Sequence, residues 1–418
     1  MRYLRTLFTL LLSTILFSCS SSKKFFEKST ARLTKPADIR ILINERENTL
    51  NLPVEKSIVL YDNNKIIAFV EPGNNLHFFD DEKSIAVSIK DKTFYGDNFQ
   101  IKARDKNSFI NFNGKNFKGK IKIFSTGDSI HAVNILPLEE YLKGVVPAEI
   151  PLKNGNSYYQ AVKAFAICAR SYTIMKMELG NPIYDVHTDV RDQVYGGADK
   201  ENPISNRAIE ETKGLILKYD GKSATVFYSS TCGGHTENSA NVFTGDDLPY
   251  LRGVVDGNPS YCSISPKYNW QETFSESTII KLLFSSGYLY DTNFVLDSVY
   301  IADRFESGRV DHLVFFIHPF EDGSGITGRS NSTVLLTGNN IRYVLKTSNG
   351  QKILESTLFN IKYDKNNHEV IINGKGYGHG VGLCEWGAIG MAERGFDYKK
   401  ILYHYFPGTS ISRYYDAH

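Results

Sequence analysis

The stretch NSYYQAVKAFAICARSYTIMKMEL, residues 156–179, has the pattern of a buried helix. Apolar side chains recur along it at helical spacing, namely Ala161, Ala164, Phe165, Cys168, Tyr172 and Met175. Asn156-Ser157 can cap its start, and the small residues Ala166 and Ala169 allow close packing. We therefore expect a helix of about 20 residues, buried by the elements that pack around it.

The chain before this helix carries strand signals. Apolar runs bounded by turn residues occur at 39–43, 57–61 and 66–70. Asn113-Gly114 adds a hairpin turn signal between two further runs. These patterns predict a small β domain over residues 38–124.

Both kinds of element are expected after the helix. Strand signals occur at 214–217, 224–228, 294–296 and 312–316. Asp397 can cap a short helix from Tyr398 to Tyr405, which Pro407-Gly408 would stop. We predict an α+β fold in which strands outnumber helices. Its second domain would span residues 125–418 and contain a β-rich insertion at about 271–365.

The N-terminus has the features of an export signal. Arg2 and Arg5 precede an apolar run, Leu7–Phe17, which is shorter than the roughly 20 residues that span a bilayer. Residues 1–18 are therefore predicted to be a signal peptide. Cys19 follows directly, and the stretch resembles a bacterial lipobox, although Phe17 departs from the usual small or aliphatic residue.

Lipidation of Cys19 would make the chain an exported lipoprotein. Acyl chains contribute about 0.8 kcal/mol per buried CH₂, enough for several chains to hold the protein on a bacterial membrane, facing the periplasm or the cell surface. Residues 19–37, rich in Ser, Lys and Thr, would then form the tether. The alternative is an ordinary signal peptide followed by an incidental cysteine.

Composition and charge exclude several classes of protein. The 418 residues are 41% hydrophobic and 22% charged, which is typical of a globular chain. Lys plus Arg number 48 against 46 Asp plus Glu, so we expect no nucleic-acid partner. The sequence has no G-x-S-x-G, no complete H-E-x-x-H and no P-loop, and its glycine-rich stretch from Gly374 to Gly382 never gives G-x-G-x-x-G. This disfavours serine hydrolases, zincins and nucleotide enzymes.

A single carboxylate stands out as a candidate acid. Glu149 ends the run LEEYLKGVVPAE, residues 138–149, and lies between Pro147 and Pro151. Apolar neighbours disfavour an ionised carboxyl, so its pKa rises and it can donate a proton near neutral pH. The alternative is a solvated glutamate in a loop.

Two glycine-rich stretches lie far from Glu149 along the chain. In YSSTCGGHTEN, residues 228–238, a strand leads into hydroxyl side chains and paired glycines. In GYGHGVGLCEWGA, residues 376–388, glycine occupies every second position around His379. Such alternation weakens a strand, so we expect it to allow close approach of a ligand or another backbone.

Together these stretches resemble the SpoIID/LytB family of bacterial cell-wall proteins. The likeness spans about residues 121–408. Its ordered motifs are LEEYLKGVVPAE (138–149), QAVKA (160–164), ARSY (169–172), DQVYGG (192–197), STCGG (230–234), YCSISP (261–266) with Trp270, SGRV (307–310), LTGNNIR (336–342) and the stretch around His379.

The resemblance implies a peptidoglycan lytic transglycosylase. Such enzymes cut the bond between N-acetylmuramic acid and N-acetylglucosamine, preferring strands without stem peptides, and form a 1,6-anhydro ring without water. Glu149 matches the family's catalytic acid and base. The polar residues on the matched motifs that could bind substrate are Arg170, Tyr172, Gln193, Tyr195, Ser229, Thr231, His379 and Glu385.

Glu385 departs from the family, which commonly carries Gln at this position. A second carboxylate in the groove could raise the pKa of Glu149, or it could admit hydrolysis by a water molecule. The resemblance also leaves a non-enzymatic alternative, because relatives of the LytB type modify a cell-wall amidase. The chain would then bind glycan and enhance that partner.

A metal ion is a separate possibility that the chemistry itself does not require. Some relatives hold zinc beside the groove, and the residue types of Cys232, His235 and Cys262 suit a tetrahedral site. The alternative is a Cys232–Cys262 disulfide. Closing that loop would contribute about 3 to 4 kcal/mol in the chain-entropy model.

Overall fold

A computed structural model of the protein describes residues 38–415, except 82–83, 106–107, 128, 153–154, 244, 321–330 and 348–349. The predicted signal peptide, Cys19 and the tether to residue 37 lie outside the described residues. Within the described ranges, no helix is both long and apolar enough to cross a membrane.

Strands predominate in the described part of the chain, with 39% of residues in strands and 25% in helices, which confirms a β-rich α+β fold. The strands are β1 Asp38–Glu47, β2 Thr49–Pro53, β3 Ile58–Asp62, β4 Lys65–Val70, β5 Asn75–Asp80, β6 Ile85–Ile89, β7 Lys92–Gly96, β8 Asn98–Ala103, β9 Ile110–Phe112, β10 Lys115–Phe117, β11 Lys120–Ser125, β12 Ile130–Pro137, β13 Val186–His187, β14 Leu215–Tyr219, β15 Lys222–Ser223, β16 Tyr228–Ser229, β17 Asn269–Ser275, β18 Phe294–Arg304, β19 Val310–Pro319, β20 Ser332–Thr337, β21 Phe359–Asp364, β22 Glu369–Lys375, β23 Leu383–Cys384 and β24 Ser410–Arg413.

The helices of the described residues all follow β12 in the chain. They are α1 Leu138–Glu149, α2 Tyr159–Leu179, α3 Pro203–Glu211, α4 Glu276–Ser285, α5 Asn340–Val344, α6 Glu385–Glu393 and α7 Tyr398–Tyr405. Short 3-10 turns occur at Gly155–Tyr158, Gly197–Lys200, Ser239–Asn241, Pro249–Leu251 and Tyr261–Ile264.

The predicted central helix is confirmed as α2. It starts at Tyr159, after a 3-10 turn at Gly155–Tyr158, and it ends at Gly180, whose φ of +72° suits glycine. Phe165 and Cys168 are fully buried, because α1, α3, α6 and α7 all pack on this helix. Burial on several sides therefore explains why the buried residues of α2 are not confined to one face of the helix.

A seven-stranded sheet in the order β13-β1-β12-β11-β8-β3-β4 lies beside the helices. Its pairs are antiparallel, apart from β1 with β13. In β11, Ile121 and Ile123 are fully buried while the alternating lysines are not, as the period of a strand requires. Because β13 follows α2 in the chain, this sheet joins segments from both sides of residue 124. The predicted domain boundary there remains a prediction.

A second hydrophobic cluster forms around the sheets β17-β22-β21 and β18-β19-β20, with α4 packed beside them. Its buried members run in sequence from Phe274 to Ile372. The first cluster contains α1, α2, α6 and the seven-stranded sheet. The sequence range of this second cluster overlaps the predicted insertion at about 271–365, which remains a prediction.

Candidate active site

Glu149 is the last residue of α1 and is half-buried. Its Oε1 accepts a hydrogen bond from the Val194 backbone N–H at 2.6 Å. The same oxygen accepts a longer bond, 3.3 Å, from the Tyr228 hydroxyl. Glu149 is thus fixed at a helix end by two donors that come from separate segments of the chain.

Burial raises the pKa of Glu149 above its ordinary value, although the hydrogen bonds from Val194 and Tyr228 oppose this shift. The cause is desolvation, since an ionised carboxylate loses more than a neutral acid when water is removed. The carboxyl therefore holds a proton more readily than a solvated glutamate does, as a general acid requires.

The two glycine-rich stretches meet beside Glu149. Strand β16 pairs in parallel with β23, which places Tyr228 opposite Leu383. A Cβ at Gly382 would lie 2.2 Å from the Phe227 carbonyl oxygen, and one at Gly378 would lie 2.9 Å from Ser229. The alternating glycines therefore allow two backbones to approach closely, which confirms that expectation.

Glu385, the first residue of α6, lies next to this strand pair and is only 6% exposed. In the described part of the chain its carboxyl has no hydrogen-bond or ion-pair partner. Burial, and then the nearby charge of Glu149, raises the pKa of Glu385 well above its ordinary value. The structure thus brings the two carboxyl groups into one electrostatic environment.

Asp192 organises a polar network next to the Glu149 site. It accepts hydrogen bonds from the Tyr172 hydroxyl at 2.8 Å and from the His187 backbone N–H at 2.8 Å. Lys176 forms an ion pair with it, also at 2.8 Å. The ring of Tyr172 meets that of Tyr228 edge-on, with the ring centroids 6.2 Å apart. The network therefore orients Tyr172, which packs on the tyrosine that donates to Glu149.

Gln193 and Tyr195 lie behind this network and are buried. The Gln193 Oε1 accepts from Thr173 at 2.8 Å and from Tyr141 at 3.2 Å. The Tyr195 hydroxyl donates to Asn134 at 3.2 Å. Both were predicted to contact substrate, which stays a prediction. In the structure Gln193 bonds residues of α1 and α2, and Tyr195 bonds a residue of β12.

Arg170 was also predicted to contact substrate, a role that stays a prediction. Its guanidinium is fully buried and forms a bidentate ion pair with Glu139, with both N–O distances 2.8 Å. Tyr415 also donates to Glu139. Arg170 was a plausible groove residue because arginines are rarely buried, but a paired carboxylate offsets the cost of its burial.

Ser229, Thr231 and His379 lie around the β16–β23 pair. Ser229 is buried, and the buried Thr231 hydroxyl lies 2.7 Å from that of Ser265. The His379 Nδ1 accepts from the Val381 N–H at 3.0 Å. Burial, together with nearby arginines, lowers the pKa of His379 to about 3, so its ring is neutral at neutral pH.

Cys232, Cys262 and Cys384 lie together in a separate group, the cysteine cluster. The Sγ atoms of Cys232 and Cys262 are 3.6 Å apart, and both thiols are free. Cys384 and Asp256 join them, with the ligand atoms of all four residues within 4.8 Å of one another. His235, predicted as a metal ligand, is not in this group, and its Nδ1 lies 2.6 Å from the Thr236 carbonyl oxygen.

Sequence reasoning missed several members of both clusters. The Val194 N–H carries no side-chain signal, and Asp192 and Asp256 appear as ordinary acids in loops. Tyr228 and Cys384 stood inside the quoted glycine-rich stretches but drew no prediction of a role. Their position inside those glycine-rich stretches was the signal that could have identified them.

Comparison with known proteins agrees with these features. The family model described as Stage II sporulation protein (SpoIID) matches residues 126–219. An uncharacterised protein of Brachyspira hyodysenteriae is 30% identical over 335 residues, covering 80% of this chain and 81% of that protein.

Two relatives have descriptive names. A Bacillus subtilis protein named amidase enhancer is 32% identical, covering 65% of this chain but only 40% of its own length. A Bacillus amyloliquefaciens protein named stage II sporulation protein D is 27% identical, covering 68% of this chain and 76% of that one. The matched region contains Glu149, and the chain belongs to the SpoIID/LytB family.

Proposed function

We propose that the protein is a peptidoglycan lytic transglycosylase that uses Glu149 as both acid and base. Family membership and the names of the relatives support a role at the cell wall. The observation that carries the finer proposal is the half-buried Glu149 carboxyl, whose raised pKa suits a proton donor.

The hydrogen bonds to Glu149 indicate which of its two carboxyl oxygens carries the proton. Both the Val194 N–H and the Tyr228 hydroxyl donate to Oε1 of Glu149, so the proton belongs on Oε2. From Oε2 the proton passes to the glycosidic oxygen as the bond from the muramoyl C1 breaks. Placed proton transfer of this kind contributes roughly 10²- to 10⁴-fold to a rate.

The second half of the reaction returns the proton. The Glu149 carboxylate removes the proton of the muramoyl 6-hydroxyl, whose oxygen attacks C1 and closes a 1,6-anhydro ring. The Val194 and Tyr228 donors stabilise the carboxylate between these two steps. No water is consumed, so a second ionised carboxylate is not needed as a base.

The test is digestion of glycan strands without stem peptides by the protein and its Glu149→Gln variant. We expect the protein to release 1,6-anhydromuramoyl products and the variant to release none above background, by mass spectrometry. Glu140→Gln is the matched control, since Glu140 lies on the same helix but pairs with Lys143 and Lys118 at the surface. Equal product from protein and Glu149→Gln variant would contradict the proposal.

A second candidate function follows from the relative named amidase enhancer, which is 32% identical to this chain. The protein would then bind glycan and accelerate a cell-wall amidase without cutting the strand. Stimulation of an amidase by the Glu149→Gln variant as strong as by the unaltered protein, with intact strands in both reactions, would favour this candidate. The two functions are thus separable in one experiment.

We also propose that lipidated Cys19 holds the protein at the cell envelope. The support is the apolar run before Cys19 and the polar segment after it. Cells fed a labelled fatty acid should yield labelled protein, and the Cys19→Ser variant should yield none. Label in the variant would contradict the assignment of Cys19.

A further inference from the structure

The cysteine cluster plays no part in the reaction proposed above. Cys232, Cys262 and Cys384 are each 0% exposed, as is Asp256. These residues come from three separate segments of the chain: the STCGG turn, the loop before and within the Tyr261–Ile264 turn, and the start of α6. Four metal-ligating side chains buried at one point need an explanation beyond packing.

We propose that Cys232, Asp256, Cys262 and Cys384 bind one zinc ion in a closed structural site, and that His235 is not a ligand. Three thiolates and one carboxylate form a donor set that suits tetrahedral zinc. Their ligand atoms all lie within 4.8 Å of one another. The proposal is independent of the reaction at Glu149.

The sulfur spacing fits a shared metal ion. Two thiolates that each lie about 2.3 Å from a tetrahedral zinc ion are about 3.8 Å apart. The Cys232 and Cys262 sulfurs are separated by 3.6 Å. Sulfurs joined in a disulfide would be about 2.05 Å apart. The observed spacing therefore favours the metal over the disulfide that the sequence left open.

The surroundings supply donors for thiolates. The Cys384 Sγ accepts the backbone N–H of Cys232 at 3.1 Å and that of Gly387 at 3.3 Å. The Asp256 Oδ1 accepts the Tyr405 hydroxyl at 2.5 Å, and Asp256 Oδ2 accepts the Cys262 N–H at 2.8 Å. Such outer hydrogen bonds orient ligands and balance their charge.

A buried arginine supplies the remaining charge balance. Zinc with three thiolates and a carboxylate would keep a net negative charge. Arg309 is 1% exposed and donates to the Cys232 carbonyl oxygen at 2.6 Å. Among the residues that the structure describes, its Nε has no hydrogen-bond partner. A cation this deeply buried is costly without an anion nearby, and the charged cluster provides one.

His235 is held away from the cluster. Its ring bonds toward Thr236, and its carbonyl oxygen accepts from Arg309 at 2.8 Å. Asp256 and Cys384 take the places that a histidine would otherwise fill. Because the four ligands are fully buried, the site has no position for substrate or water, and it acts by fastening the three segments together.

The experiment measures metal in the full-length protein, purified in detergent without chelator. We expect one zinc ion per chain by elemental analysis, and an X-ray absorption spectrum at the zinc edge that fits three sulfur ligands and one oxygen. Chelation should lower the melting temperature, and added zinc should restore it. The absorption spectrum uses the unaltered protein, so it does not depend on whether any variant folds.

Two variants test the ligand set. Cys384→Ser should lose most of its zinc, whereas His235→Gln should keep it. Absence of zinc from the unaltered protein, with a Cys232–Cys262 disulfide found by mass spectrometry, would overturn the proposal. A spectrum that requires a nitrogen ligand, with zinc lost from His235→Gln, would overturn it as well.

Discussion

Glu149 retains its proton in the folded protein over a pH range in which the unfolded chain has lost it. Burial raises its pKa above the ordinary 4.5, so the folded state binds more protons there and stability falls as pH rises. Glu149→Gln removes this penalty. We expect the variant to gain stability over the unaltered protein as pH rises from about 4 toward 7, by urea unfolding. A difference that does not change with pH would contradict the raised pKa.

The Tyr228 hydroxyl opposes the effect of burial on the pKa of Glu149. Its hydroxyl donates to Oε1 and lowers that pKa, so Tyr228→Phe should shift the alkaline limb of the pH–rate profile to higher pH and reduce the rate. Tyr172→Phe is the control, because its hydroxyl donates to Asp192 instead. An alkaline limb that Tyr228→Phe leaves in place would argue against the hydrogen bond.

For single residues, the sequence predicts which side chain carries the reaction but not which groups form hydrogen bonds with it. Glu149 could be proposed because an acid between prolines follows an apolar run and because it matches the catalytic residue of the family that the sequence resembles. Val194 could not, because it acts through a backbone N–H that every residue but proline carries. The partner of Arg170 could not be predicted either, because nothing local shows that it pairs with Glu139, thirty-one residues earlier.

Helices α1 and α2 are joined by one buried ion pair. Glu139 bonds Arg170, the Tyr415 hydroxyl and the Gly214 N–H, and these contacts lower its pKa against the effect of burial. Glu139→Ala leaves the Arg170 charge buried and unpaired, so we expect a loss of about 3 to 5 kcal/mol in the free energy of unfolding.

The neighbouring acid on the same helix is the control for that change. Glu140 bonds Lys118 and Lys143 at the partly exposed surface, so Glu140→Ala should cost about 1 kcal/mol or less. Equal losses in urea unfolding for the two variants would contradict a special role of the buried pair. Because the pKa of Glu139 is lowered, its contribution should also disappear as pH falls through that lowered value.

Elements with a strong local period were predictable. Helix α2 and the alternating strand β11 follow from spacing alone. Helix α1 was not assigned, because Gly144 and Pro147 disfavour a helix and tertiary packing overrides them. The strand predicted at 224–228 is reduced to the two-residue β16, Tyr228–Ser229, and β23 was not assigned, since only their pairing defines them.

The two hydrophobic clusters of the molecule meet at Arg309. This residue follows the turn between β18 and β19, in the second cluster, and donates to the Cys232 and His235 carbonyl oxygens beside the first. The Arg309→Leu variant would leave these two carbonyl oxygens without their hydrogen-bond donor. We expect a loss of about 2 to 5 kcal/mol and a calorimetric transition that splits in two.

Arg304 provides the matched control on the same hairpin. It is exposed and bonds the Gly308 and Phe359 carbonyl oxygens, so its contacts stay within the second cluster. Arg304→Leu should leave a single transition near that of the unaltered protein. If Arg309→Leu also unfolds in one unshifted transition, Arg309 does not couple the two cores.

At the scale of the whole molecule, the sequence predicted composition of the fold but not its connections. The α+β class followed from the balance of strand and helix signals. The parallel pairing of β13 with β1 did not, because it joins residues more than a hundred positions apart. Cys232 and Cys262 were predicted to meet, but the approach of Cys384 was hidden for the same reason, because it lies 152 positions from Cys232.

The central claim is that Glu149 regains its proton from the muramoyl 6-hydroxyl as that oxygen closes the 1,6-anhydro ring, without attack by water. The most direct test is digestion of glycan strands lacking stem peptides in water labelled with oxygen-18, followed by mass spectrometry of the fragments. The account predicts 1,6-anhydromuramoyl ends that carry no label. Reducing ends that carry one labelled oxygen would show attack by water and contradict it.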